Sequence, residues 1–235
     1  MRRATLGIWL MAVGLVMVLV GTDAATATQA KIVRQGQAES RAVALTFDDG
    51  ANRAACASIA RTLRAFDATG TFFVNGNNLK VAPSKWRKIL RGQAVGNHTR
   101  SHRDLTTETD AVVRKQLLQN ERLHESILGR PMLKVFRPPY GAHDRRVRRL
   151  AGELGYRYTV LWTVDTFDWK RSATVRSVIR RATRARPGYI ILMHCSRSVT
   201  PAALPAIIRH YRGRGIELAG LDDVLGLKEA TPVAR

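Results

Sequence analysis

Acidic side chains are scarce in this chain of 235 residues: 18 Asp and Glu stand against 39 Lys and Arg, a formal net charge of +21. Cysteine is scarcer still, with only Cys56 and Cys195, which excludes a disulfide-dense scaffold. Aromatics amount to 6%, and neither a Gly-X-Y period nor a sustained heptad is present, so collagen and coiled coil are excluded. No apolar run reaches the roughly 20 residues that span a bilayer, which removes the multi-span membrane proteins. What is left, 45% hydrophobic and 24% charged, is the balance of a packed protein with one core. Neither an internal repeat nor a second domain is visible.

The longest apolar run stands at the front. Met1-Arg2-Arg3 precedes residues 6–20, about 15 positions, the length of a signal-peptide core. Small and polar residues follow, and Ala25-Thr26-Ala27 among them fits an A-x-A cleavage site. Export is therefore expected, with residues 1–27 either a cleaved signal peptide or an anchor tethering the domain at the outer face of the membrane. Residues 28–40 read as a linker without period, 41–226 as the domain and 227–235 as a C-terminal tail.

So basic a chain raises the question of nucleic acid. Its arginines are scattered through helical stretches without aromatic interleaving, as in Arg145-Arg146-Val147-Arg148-Arg149 and Arg180-Arg181. No nucleic-acid partner is expected; for an exported protein an anionic cell-wall polymer or lipid fits the charge better. Simple solvated helix faces explain the same residues.

From Arg41 onward short apolar runs alternate with amphipathic ones. Strands are predicted near 42–47, 71–74, 94–96, 134–136, 158–164, 189–193 and 216–218. Helices are predicted near 53–66, 83–91, 108–128, 143–154, 173–185, 201–213 and 221–226. Seven such alternations argue for a parallel α/β fold, either an open sheet or a barrel. Five stretches at strand ends carry polar chemistry. Thr46-Phe47-Asp48-Asp49-Gly50 sets two carboxylates side by side, where a solvated Asp-Gly turn is the plain alternative. His98-Thr99-Arg100-Ser101-His102 places two imidazoles at i and i+4, and with one Asp they make a three-ligand set that leaves a metal position open. Phe136-Arg137-Pro138-Pro139-Tyr140-Gly141 is a rigid turn that leaves the Tyr140 N–H as a donor. Val164-Asp165-Thr166-Phe167-Asp168-Trp169 and Ile190-Ile191-Leu192-Met193-His194 complete the set.

In this order the five stretches resemble the polysaccharide deacetylases of the NodB-homology type, carbohydrate esterase family 4, over residues 41 to 226. One departure is Ala51, where many relatives carry proline. The resemblance implies a distorted (β/α) barrel with about seven strand–helix repeats and catalysis at the C-terminal strand ends. It implies Asp49, His98 and His102 as ligands of a divalent metal, zinc by its donor set, with cobalt or nickel also fitting. Asp48 would be the general base, Arg137 its orienting partner, the Tyr140 N–H an oxyanion donor and His194 the general acid, paired with Asp165. Trp169 and Leu192 would wall a pocket for the acetyl methyl. The implied substrate is N-acetylglucosamine in peptidoglycan or a chitin-type glycan; an O-acetyl esterase and a silent glycan-binding module are the alternatives. A barrel would bring Cys56 and Cys195 to the same end, where they form either one disulfide or two buried thiols.

Overall fold

The computed structural model describes residues 29–227, so the segment expected to direct export lies outside the described residues, as does nearly all of the tail. The chain runs through β1 (Lys31–Val33), β2 (Ala42–Asp49), α1 (Arg53–Ala65), β3 (Thr71–Val74), α2 (Gly76–Leu79) and α3 (Pro83–Ile89). Next come β4 (Ala94–Val95), α4 (Asp110–Leu128), β5 (Val135–Phe136), α5 (Arg145–Glu153) and β6 (Tyr158–Val160). The sequence closes with β7 (Val164–Asp165), α6 (Val175–Ala182), β8 (Ile190–His194), α7 (Val199–Arg212), β9 (Glu217–Ala219) and α8 (Leu221–Val224). Polar side chains start several helices: Asn52, Thr109 and Asp144 each accept from a first-turn amide, and Thr174 with Ser177 forms a capping box.

All ladders between these strands are parallel. One sheet runs β4-β3-β2-β8-β7, with β9 also pairing to β2, and the other runs β1-β6-β5. A single parallel bridge, Asn97 to Phe136, joins them beyond β4 and β5. Among the described residues no ladder joins β6 to β7, so the ring of strands is an incomplete barrel.

Two expectations need correction here. β1 lies inside the stretch read as linker, and its edge bonds to β6 through Lys31 N to Arg157 O (2.9 Å) and Leu161 N to Val33 O (2.8 Å). The strand expected at 158–164 is split in two. At the break the Val160 and Leu161 carbonyls turn away from the ladder and accept from the Arg137 guanidinium at 3.3 and 3.2 Å. A buried cation's hydrogen bonds thus outweigh strand continuity.

Alternation along β2 divides its side chains between two environments. Val43, Leu45 and Phe47 pack outward against α1 and α7, together with Ile191 and Met193 of β8, Ile207 and Ile208. Burying side chains of this size contributes about 1.5–3 kcal/mol each. Ala42 and Ala44 face the interior cluster with Phe73 and Ile190. The same inward line continues through Thr46 to Asp48, so the interior becomes polar only at the C-terminal end. The β2–β8 register sets Thr46 opposite Leu192 and Asp48 opposite His194.

Candidate active site and metal centre

A cleft of about 460 Å³ opens at the C-terminal strand ends, and Asp48, Asp49, His98, His102, Leu192 and His194 all line it. Adjacent residues on a regular strand point to opposite faces, yet Asp48 and Asp49 both reach the cleft. The backbone explains this: Asp49 (φ 71°) and Gly50 (φ 75°) are left-handed, and the turn brings the second carboxylate round. The Asn78 side chain fixes that turn by donating to the Asp49 carbonyl at 2.9 Å. A side chain at Gly50 would meet Val74 Cγ1 at 2.7 Å. Of the seven non-glycine residues with positive φ among those described, Asp49, Thr99, His102, Tyr140 and Phe167 belong to the five polar stretches, so backbone strain is concentrated at the cleft.

Asp49, His98 and His102 form a group whose ligand atoms all lie within 4.8 Å of one another. Asp49 Oδ1 is 3.3 Å from His98 Nε2 and 3.1 Å from His102 Nε2. His98 Nδ1 lies 2.8 Å from the Arg137 carbonyl, which fixes its N–H there and leaves the Nε2 lone pair for the centre of the group. Burial works against a charge on Asp49, but hydrogen bonds from His102 and His98 outweigh it and hold the carboxyl far below the usual range. Burial likewise opposes a proton on His98, and the Asp48 and Asp49 carboxylates overcome it. The negative field that favours a proton there also favours a divalent cation. Two imidazoles and one carboxylate, with the second ring nitrogen of His98 anchored, are a donor set suited to such an ion.

Beside this group Asp48 is 4% exposed and Arg137 fully buried. Arg137 Nη1 donates to Asp48 Oδ1 at 2.7 Å and to Thr46 Oγ1 at 2.8 Å. Its guanidinium stacks 4.4 Å from the Phe73 ring. Every face of this buried cation is occupied, which locks the Asp48 carboxylate in place.

On the opposite wall the structure corrects one assignment. His194 pairs with Asp168, not Asp165: its Nδ1 lies 2.8 Å from Asp168 Oδ1, and its amide donates to Asp168 Oδ2 at 2.7 Å. The Thr200 hydroxyl donates to the same Oδ2. Asp165 instead accepts from the Phe167 amide at 2.7 Å; the left-handed Phe167 then reverses the chain and carries Asp168 beneath the imidazole. Burial raises the Asp165 carboxyl above its ordinary value, against hydrogen bonds from Phe167 and Trp169. For His194 burial opposes the charged ring, but Asp168 above all, then Asp48 and Asp49, push it up to about 9. With Nδ1–H on Asp168, Nε2 is left for the cleft.

Tyr140 is 73% exposed, its ring edge-on to His102 at 4.7 Å between centroids. Trp169 and Leu192 line the cleft as expected. Of the two alternatives open for the cysteines, the structure has the pair of thiols: both are free and buried. They are neighbours between α1 and the end of β8, with the Cys56 thiol directed at the Cys195 carbonyl at 4.0 Å, and burial with the adjoining Cys56 raises the Cys195 thiol well above its usual value.

Residues that the sequence did not point to support the histidines from behind. Asn97 Oδ1 accepts from the left-handed Thr99 amide at 2.9 Å and from Asn120 Nδ2 at 3.1 Å, while Gln116 Oε1 accepts from Ser101 N at 2.9 Å. Gln116, Asn120 and His124 form a buried polar line at i, i+4 and i+8 on α4. That spacing was the only available signal, and the apolar residues between them masked it.

Comparison with known proteins finds likeness over most of the chain. A family profile described as polysaccharide deacetylase matches residues 35–159. The chitooligosaccharide deacetylase of Azorhizobium caulinodans is 32% identical over 208 aligned residues, which cover 82% of this chain and 97% of that protein. A peptidoglycan-N-acetylglucosamine deacetylase of Bacillus cereus is 31% identical over 193 residues, covering 79% of this chain and 89% of the relative. Among solved structures, a family 4 pseudoenzyme from Bacillus anthracis superposes with a TM-score of 0.78 at 28% identity, covering 84% of this chain and 69% of the other.

Proposed function

The chain belongs to the polysaccharide deacetylase family, and from that premise we propose that it removes N-acetyl groups from N-acetylglucosamine units of a peptidoglycan or chitin-like polymer. The observation that carries this reading is the juxtaposition in one cleft of Asp48, the Asp49–His98–His102 group and a His194–Asp168 pair. A protein that merely holds a glycan has no use for a locked carboxylate facing a protonated imidazole.

What a divalent cation, most suitably zinc, supplies between Asp49, His98 and His102 is polarisation of the acyl carbonyl and acidification of a water. Asp48, with Oδ1 occupied by Arg137, is left with Oδ2 to take the proton of the attacking water. His194, protonated through Asp168, gives the proton of Nε2 to the leaving nitrogen as the C–N bond breaks. The Tyr140 N–H donates to the oxygen that gains negative charge, and Leu192 with Trp169 encloses the acetyl methyl.

Export supports access to such a polymer. It rests on the apolar residues 6–20 and on Ala25-Thr26-Ala27, and N-terminal sequencing of the protein recovered outside the cell distinguishes cleavage from anchoring. The activity itself is tested by acetate release from chitopentaose, purified peptidoglycan and an O-acetylated xylan, with and without a chelator. Release from the N-acetylated substrates that chelation stops is expected. Release from the xylan alone overturns the amide assignment, and no release from any substrate overturns the enzyme.

A further inference from the structure

The positive charge is not spread evenly. Around α4 and α5 four arginines are neutralised: Arg114 and Arg149 pair with Glu153, Arg146 with Asp110 and Arg103 with Glu108. Between Arg171 and Ile216 the chain has ten arginines and no Asp, Glu or Lys. This stretch builds α6 and α7, which pack on each other, and α7 packs on α1, whose Arg61 and Arg64 likewise have no acidic neighbour in their helix. Arg176 and Arg180 are exposed at i and i+4 on α6, and Arg184, exposed too, follows in the turn just past its C-terminal end. None has a carboxylate partner among the described residues. Arg209, Arg212 and Arg214 extend the charge at the far end of α7 and are exposed too.

This face is continuous with the cleft. Arg197, at the start of α7, donates to the carbonyls of Lys170 and Arg171, and Arg181 of α6 stacks 4.6 Å from the Phe167 ring. These contacts fasten the loop that presents Trp169 at the rim, and Lys170 lies over both aromatic rings there. A polymer leaving the cleft past Trp169 therefore meets Lys170 and Arg171 first and the α6 arginines next. Like charges at such spacing repel unless an anion lies between them. Arginine's planar fork suits carboxylates held side by side. Val175 is the exposed large apolar side chain on these helices, too little for insertion into a lipid bilayer.

We propose that the face from Lys170 and Arg171 along Arg176, Arg180 and Arg184 binds carboxylates of the substrate strand outside the cleft, so that the enzyme selects an acidic glycan over a neutral one. The proposal rests on the deacetylase reading for its polymer, but its test separates the two. Acetate release is measured on peptidoglycan strands with free carboxylates, on the same strands amidated, and on chitopentaose, over a range of NaCl. For the Arg176→Gln/Arg180→Gln/Arg184→Gln variant, KM on the acidic strands is expected to rise about tenfold with kcat unchanged, since peripheral charges act on encounter and binding. KM on amidated strands and chitopentaose should stay within about twofold, and the salt dependence on acidic strands should flatten.

Unchanged KM and salt dependence on acidic strands overturn the proposal. So does loss of binding to phosphatidylglycerol vesicles alone, which would make lipid the partner. If wild type releases no acetate from any substrate, the deacetylase reading fails. Co-sedimentation with insoluble peptidoglycan then decides the arginine face, lost in the variant if the proposal stands and retained if it does not.

Discussion

The two walls of the cleft are built on different principles. The wall with Asp49, His98 and His102 draws on β2 and on the turns that follow β3 and β4, and its support is long-range and buried: Arg137 reaches Asp48 from 89 residues away. The wall with His194 draws on β8, the loop after β7 and the first turn of α7, and its partner Asp168 stands within one short loop. The first wall holds the Asp48 carboxylate through a buried guanidinium that has no other acidic partner among the described residues. The second holds a cation through a carboxylate that accepts three hydrogen bonds. The lesson is that each reacting group is fixed by a buried partner of opposite charge, and the partner's position depends on tertiary structure more than on the reacting group's motif.

The largest effects should come from the first wall. His98→Ala is expected to lower both metal content and turnover, the latter by roughly 10³-fold or more, since a catalytic cation supplies several kcal/mol to the barrier. Asp48→Asn should lower turnover by about 10²–10⁴-fold while metal content, measured by elemental analysis after dialysis, stays close to wild type. Equal metal loss in both variants would merge the roles that the geometry separates.

Next in size is the contrast between Asp168 and Asp165. Asp168→Asn is expected to reduce kcat by about 10²-fold, as an orienting and charge-stabilising partner of an acid does, and Asp165→Asn by much less. In wild type kcat/KM should fall as pH rises through His194's titration, at or below about 9, because a cation beside the ring works against its proton. In Asp168→Asn that fall should come at lower pH. A pH–rate profile identical in the two enzymes would return the role to another residue. Thr200→Val removes one of three donors to Asp168 and should cost only several-fold in kcat, in keeping with about 1 kcal/mol for one hydrogen bond.

The smallest expected effect on activity concerns the support behind the first wall. Burial pushes His124 down to about 4; its bond to the Val74 carbonyl opposes this and Arg130 adds to it. The unfolded chain takes up a proton near pH 6.5 that the folded imidazole refuses until about pH 4. Stability should therefore fall as pH drops across that window, by about 3 kcal/mol from this group. His124→Gln should flatten that part of the profile in urea unfolding at pH 7 and pH 4, with turnover at pH 7 little changed. The same slope in both proteins would place the acid sensitivity elsewhere.

Much of this was legible beforehand. The apolar runs that became β2, β3 and β8 and the capped amphipathic stretches of α1, α4 and α5 declare themselves through periodicity, because burial selects for it. The histidine pair and the double aspartate stood at strand ends as motifs. Asp168 could not be chosen over Asp165, since that choice hangs on the left-handed Phe167. Nothing in the sequence marks β1, because three residues carry no period, and the break between β6 and β7 is hidden because the demand for it comes from Arg137.

The sequence by itself determined the alternation of strands and helices, the residue types gathered at the strand ends and the excess of arginine, since each is written in local pattern or composition. Tertiary structure alone decided which aspartate serves His194, that Asp48 and Asp49 can share one cleft, that two cysteines lie together as free thiols, and that unpaired arginines collect on one face. Those outcomes depend on backbone turns and on partners distant in sequence, where burial leaves a charged group few places to find its counterpart.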